Sequence, residues 1–218
     1  MKLKFKIEVA VVIFFTFAIA MVAPTILNYI DNDTGKMIMK PLFYILLVGM
    51  PFIMCKIMKS SIGTLGFTKG KSLNQVWIGV EIFVVLAFFL TVAVFILGDN
   101  KNILLDTKKN GIGIIIYYIF FDMIFVGMGE EILFRGYFME RFRTLTNSGI
   151  WAVVISALMF GIWHFPNGQD FLQVIVTALI GAVYGFAILR IKNCSTLSVG
   201  IAHGLHDVYI LILSCILL

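Results

Sequence analysis

Seven runs of apolar residues, each close to the length that crosses a bilayer, constrain this chain more than any other feature. They cover approximately residues 7–30, 40–58, 75–97, 112–138, 149–165, 171–190 and 195–217. About 20 apolar residues in a helix span the ~30 Å hydrocarbon core. Composition agrees: 61% of residues are hydrophobic and 13% charged, with a mean hydropathy of +1.02, whereas soluble domains run near 45–50% apolar and about 25% charged. The expected fold class is an all-α integral membrane protein, a polytopic bundle of about seven transmembrane helices (six to eight) around a buried polar cavity. No polar stretch is long enough to build a separate soluble domain, so residues 1–218 are expected to form one membrane domain.

The net charge of +5 does not point to nucleic acid, because the basic residues are scattered through short loops. Their sidedness is informative instead. With the N-terminus inside, Lys2, Lys4, Lys6, Lys56, Lys59, Lys69, Lys71, Arg135, Arg141, Arg143, Arg190 and Lys192 fall on one side. Only Lys36, Lys40, Lys101, Lys108 and Lys109 fall on the other. This predicts a multi-pass protein of the cell membrane with a cytoplasmic N-terminus. The N-terminal lysines and the apolar run after them resemble a signal peptide, but the run is long and Pro24 follows Ala23. A retained first span is expected, with Glu8 as an interfacial charge. Cys55, Cys194 and Cys215 lack metal-knuckle spacing and are expected to be inert packing residues. Gly181/Gly185 and Gly200/Gly204, at spacing four, predict close helix packing.

The chemistry concentrates in Glu130-Glu131-Ile132-Leu133-Phe134-Arg135. Charges at membrane depth are costly and usually mark function. On an α-helix, Glu131 and Arg135 share a face with the acid N-terminal, which favours a pair. Glu130 is rotated about 100° away and has no helical partner of opposite sign. One acid therefore reads as structural and the other as free for chemistry. The chain has three histidines, His164, His203 and His206, all in apolar surroundings. Phe160 and His164 are four apart, as are His203 and Asp207, with His206 off to the side. Helix rise is compatible with Glu130, His164 and His203 meeting in one cavity.

Such a set suits two chemistries. One is hydrolysis by an activated water, with Glu130 as base, His164 positioning or sharing the proton, and His203 with Asp207 where charge develops on the attacked carbonyl. The other is a zinc site of Glu130, His164 and His203 with an open position, weakened by the lack of an HExxH motif.

Taken in order, Glu130-Glu131-x-x-x-Arg135, Phe160-x-x-x-His164 and His203-x-x-x-Asp207 resemble the type II CAAX prenyl endopeptidases, within the wider CAAX-protease and bacteriocin-processing (CPBP, Abi) family. The resemblance covers about residues 112–215, so 111–218 is expected to be the catalytic core and 1–110 to hold spans without motif. It implies an intramembrane endopeptidase in which Glu130 and His164 activate the water. His203 and Asp207 would form the oxyanion site, and Glu131, Arg135 and Phe160 would support it. No cofactor is required on this reading. The implied partners are a peptide or membrane-protein substrate and the lipid bilayer, with bacteriocin self-immunity or peptide-signal maturation as the role. Asp207 stands where the best-studied branch has asparagine. An ionised aspartate repels an oxyanion, so Asp207 is expected either to be protonated or to orient His203. Two other readings remain: a non-enzymatic immunity or scaffold protein that binds a peptide or protein, and a proton-coupled transporter. The transporter is disfavoured by the lack of an internal repeat.

Overall fold

A computed structural model describes residues 2–59, 62–67, 72–98, 103–104, 107–167 and 170–218. Lys69, Lys71 and Lys101, used above for sidedness, lie outside the described residues. The helices are α1 (Lys2–Asn28), α2 (Asp33–Ile57), α3 (Ser72–Leu97), α4 (Ile112–Thr146), α5 (Gly149–His164), α6 (Phe171–Arg190) and α7 (Thr196–Leu217). No strand occurs among the described residues. Six of these helices are long and apolar enough to cross a membrane, and α5 is a shorter apolar helix of 16 residues. It rises about 24 Å, less than the ~30 Å core. The protein is thus an all-α, polytopic membrane protein. Boundaries come from local chemistry: Asn32 and Ser148 cap α2 and α5. Capping boxes, Asp170 with Gln173 and Ser195 with Ser198, start α6 and α7, satisfying amides that the first turn leaves open.

The motif helix departs from expectation. Within α4, Ile112–Phe121 and Glu140–Thr146 are α-helical, but Asp122–Gly129 and Ile132–Met139 form wide π turns. These close from i to i+5, are rare, and occur preferentially at functional sites.

The contacts divide the chain into two units. One comprises residues 1–68 and 132–192. In it α5 packs on α6, and a Cβ at Gly161 would lie 2.6 Å from the Val174 carbonyl. A Cβ at Gly185 would lie 2.8 Å from Val153. Gly136 of α4 is pressed against the Leu65 backbone of the short 3-10 turn Ile62–Leu65. Ser156 of α5 donates to the Phe134 carbonyl at 2.7 Å, inside the second wide turn.

Glu8 is buried by protein rather than left as an exposed charge. It is 4% exposed, and its Oε1 accepts from Tyr137 Oη at 2.8 Å and from Arg141 Nε at 3.1 Å. Arg141 also lies over the Tyr137 ring, 4.8 Å from its centroid. A buried charge persists only when paired and hydrogen-bonded, so α1 is pinned to α4 by a buried ion pair.

The other unit comprises residues 69–131 and 193–218. Here α7 packs on α3 and on the first wide turn of α4. A Cβ at Gly79 would meet the Ser198 carbonyl at 2.5 Å, and one at Gly127 would overlap the Gly204 amide nitrogen and Cα. Ser195 Oγ donates to Gln75 Oε1, and Thr91 Oγ1 bonds Tyr209 Oη at 2.7 Å. Cys55 and Cys194 are buried and all three cysteines are free. Burial pushes the Cys194 thiol, in the loop before α7, up to about 11, away from thiolate reactivity.

Two outcomes follow for unfolding followed in detergent. Glu8→Ala strands the Arg141 guanidinium and is expected to cost about 3 kcal/mol, seen as a lowered melting temperature. Gly127→Ala forces backbone apart and is expected to cost about 1–3 kcal/mol. By contrast, Gly49→Ala, with nothing within 4 Å of its Cβ, should be neutral or gain up to about 1 kcal/mol.

Candidate active site

Among the residues singled out above, Glu130, Glu131, His203 and Asp207 belong to the unit of 69–131 and 193–218. Arg135, Phe160 and His164 belong to the other. Each group is built by its own packing.

In the first group, the contact of Gly127 with Gly204 brings the backbones of α4 and α7 together just before the motif. Only glycines allow this approach, because any Cβ at Gly127 would strike backbone. Glu130 and Glu131 follow at the junction of the two wide turns, 1% and 0% exposed. Glu131 Oε1 lies 3.0 Å from His203 Nδ1. On its other side, His203 Nε2 lies 3.4 Å from Asp207 Oδ2, and the second Asp207 oxygen lies 3.7 Å from His206 Nδ1. The result is a chain of carboxylate, imidazole, carboxylate and imidazole, buried except at the partly exposed Asp207. Glu131 contacts His203, a partner that spacing did not suggest. His206, left aside in the sequence reading, closes the chain. The run His203-x-x-His206-Asp207 was the available signal, because it puts two imidazoles within reach of one carboxylate.

The arrangement bears on zinc. A carboxylate only accepts hydrogen bonds when ionised, so a ring flanked by carboxylate oxygens at both nitrogens serves both as a donor. A metal ligand instead offers a nitrogen lone pair. To act as a metal ligand, His203 would have to give up one of its carboxylates. Among the described residues, no cluster of three or more His, Cys, Asp or Glu has a metal-holding arrangement.

In the second group, Arg135 is 1% exposed and its guanidinium lies over Phe160, 4.3 Å from the ring centroid, and 5.6 Å from that of Tyr184. A Cβ at Gly181 would lie 2.5 Å from Arg135 Nη2. Gly181 therefore leaves the space that the guanidinium fills, and Tyr184, one turn later on α6, covers it. Tyr184 was missed in the sequence, where Gly181-Ala182-Val183-Tyr184-Gly185 reads as a packing motif.

His164 sits in the last turn of α5, edge-on to Phe160 with ring centroids 4.7 Å apart. Its Nδ1 is 2.7 Å from the Phe160 carbonyl. A carbonyl can only accept, so Nδ1 carries the proton and the neutral ring keeps its lone pair on Nε2. The i−4 bond, anticipated as a shared face of Phe160 and His164, thus sets the tautomer.

Comparison with protein families matches residues 112–209 to "Type II CAAX prenyl endopeptidase Rce1-like". No curated protein and no solved structure matches the chain. The matched residues run from the start of α4 through Asp207 and contain both polar groups described here. Residues 112–209, a little under half of the chain, are similar to the type II CAAX prenyl endopeptidase Rce1-like family.

Proposed function

We propose that this protein is an intramembrane endopeptidase that hydrolyses a peptide bond with an activated water. The observation that carries the reading is the Glu131–His203–Asp207 chain inside the residues matched to a protease family. Glu130 takes a proton from water, and His164, with Nδ1 committed to the Phe160 carbonyl, offers Nε2 to position that water or share its proton. The water oxygen attacks the carbonyl carbon, the C–N bond breaks, and the proton passes to the leaving amine.

His203 stands on the carbonyl side and supplies a stabilising field for the developing negative charge. Of the two roles open to Asp207, the 3.4 Å approach to His203 Nε2 supports orientation of the ring. Arg135 and Phe160 support the site through their stacked contact. The substrate class is a peptide or membrane protein, and the proposed setting is bacteriocin self-immunity or peptide-signal maturation. The excess of Lys and Arg on one side supports a cell-membrane location with a cytoplasmic N-terminus.

Cleavage of a peptide panel by the purified protein tests the reading. Glu130→Ala and His164→Ala are each expected to reduce kcat/KM at least about a hundredfold while the detergent melting curve persists. A chelator is expected to leave the rate unchanged, as a metal-free mechanism requires. Undiminished cleavage or immunity in Glu130→Ala would return the protein to the class of non-enzymatic binders.

A further inference from the structure

Trp163 is the buried tryptophan of this chain, 5% exposed, whereas Trp77 and Trp151 are 59% and 60% exposed. Its ring is wedged in the last turn of α5, 5.0 Å from the His164 ring and 5.8 Å from Phe134 between centroids. Its Nε1, fully covered, has no hydrogen-bond acceptor among the described residues. An indole N–H can only donate, and burying a donor without a partner is destabilising. The neighbouring rings of Phe134 and His164 are edge-on and give at most a weak N–H···π contact. A phenylalanine would fill an apolar slot without this penalty. An orphan donor of this kind in a native structure calls for an explanation.

The chemistry of the proposed reaction supplies one. A peptide entering an apolar interior carries carbonyl oxygens that lose their water and need donors. The covered N–H beside His164 is of the type required. We propose that the Trp163 indole N–H is a substrate-binding donor for a peptide carbonyl oxygen, a role that rests on the endopeptidase reading above.

The test replaces Trp163 with 3-benzothienylalanine, which keeps the bicyclic shape and exchanges the N–H for sulfur. Two measurements are made. The first is kcat/KM for a cleaved peptide. The second is the Kd of a dye-labelled apolar peptide for the silenced Glu130→Gln protein, with and without the Trp163 replacement. Loss of one hydrogen bond is expected to weaken both by about tenfold. The melting temperature should stay level or rise, because the fold loses an unsatisfied donor rather than a bond. Unchanged Kd and kcat/KM, or a lower melting temperature, would overturn the proposal. Because the silenced protein is assayed by binding, the two readings separate. A parent that cleaves nothing but binds peptide in a donor-dependent way retains the Trp163 role and loses the endopeptidase.

Discussion

A carboxylate deep in an apolar helix is tolerated only when other groups answer its charge, and this constraint organises the molecule. In one unit the answer to Glu131 is His203, continued through Asp207 to His206. In the other, Glu8 is answered by Tyr137 and Arg141. The apolar helices around them supply the low dielectric that makes each contact strong and each omission costly. Helix packing in lipid has no hydrophobic drive between helices, so close approach depends on small residues. Gly127 with Gly204, and Gly181 beneath Arg135, are where small size is converted into polar contact.

The wide turns of α4 belong to the same logic. A helix that closes over five residues redistributes its side chains, and Glu130 and Glu131 lie at the junction of two such turns. A wide turn loosens the regular i−4 bonding, and Ser156 from α5 supplies the Phe134 carbonyl with a donor. Arg135 then finds two aromatic faces, Phe160 and Tyr184, where a planar cation stacks better than an ammonium. Membrane-depth charge and irregular helix thus occur together, each made tolerable by neighbours that a straight α-helix would place elsewhere.

This shows what the sequence could reveal. The apolar runs were legible because each span satisfies its backbone within itself, so length and hydropathy locate it without knowledge of neighbours. Contacts at spacing four on regular helices were legible for the same reason: His164 on the Phe160 carbonyl, and His203 with Asp207. Partners chosen across the chain were not. Glu8 meets Arg141 over a separation of 133 residues, and Glu131 meets His203 over 72. No local periodicity encodes either choice. Glu8 looked interfacial because it follows three lysines, yet burial by α4 outweighs that neighbourhood. Spacing four suggested Arg135 for Glu131 but gave no sign of His203.

The aspartate at 207, where the resemblance noted above leads one to expect asparagine, becomes intelligible from its neighbours. His203 Nε2 faces one of its oxygens at 3.4 Å, and His206 Nδ1 faces the other at 3.7 Å. Two imidazole nitrogens that both face one side chain are best met by two acceptors. A carboxylate has two, whereas a carboxamide has one acceptor and one donor group. An asparagine here would turn an N–H towards one of the rings and demand its opposite tautomer. Glu131 already claims the other nitrogen of His203 as a donor, so that ring has little freedom to comply. His206 and the acid therefore suit each other: His206 makes the carboxylate appropriate, and the carboxylate gives His206 a place in the chain.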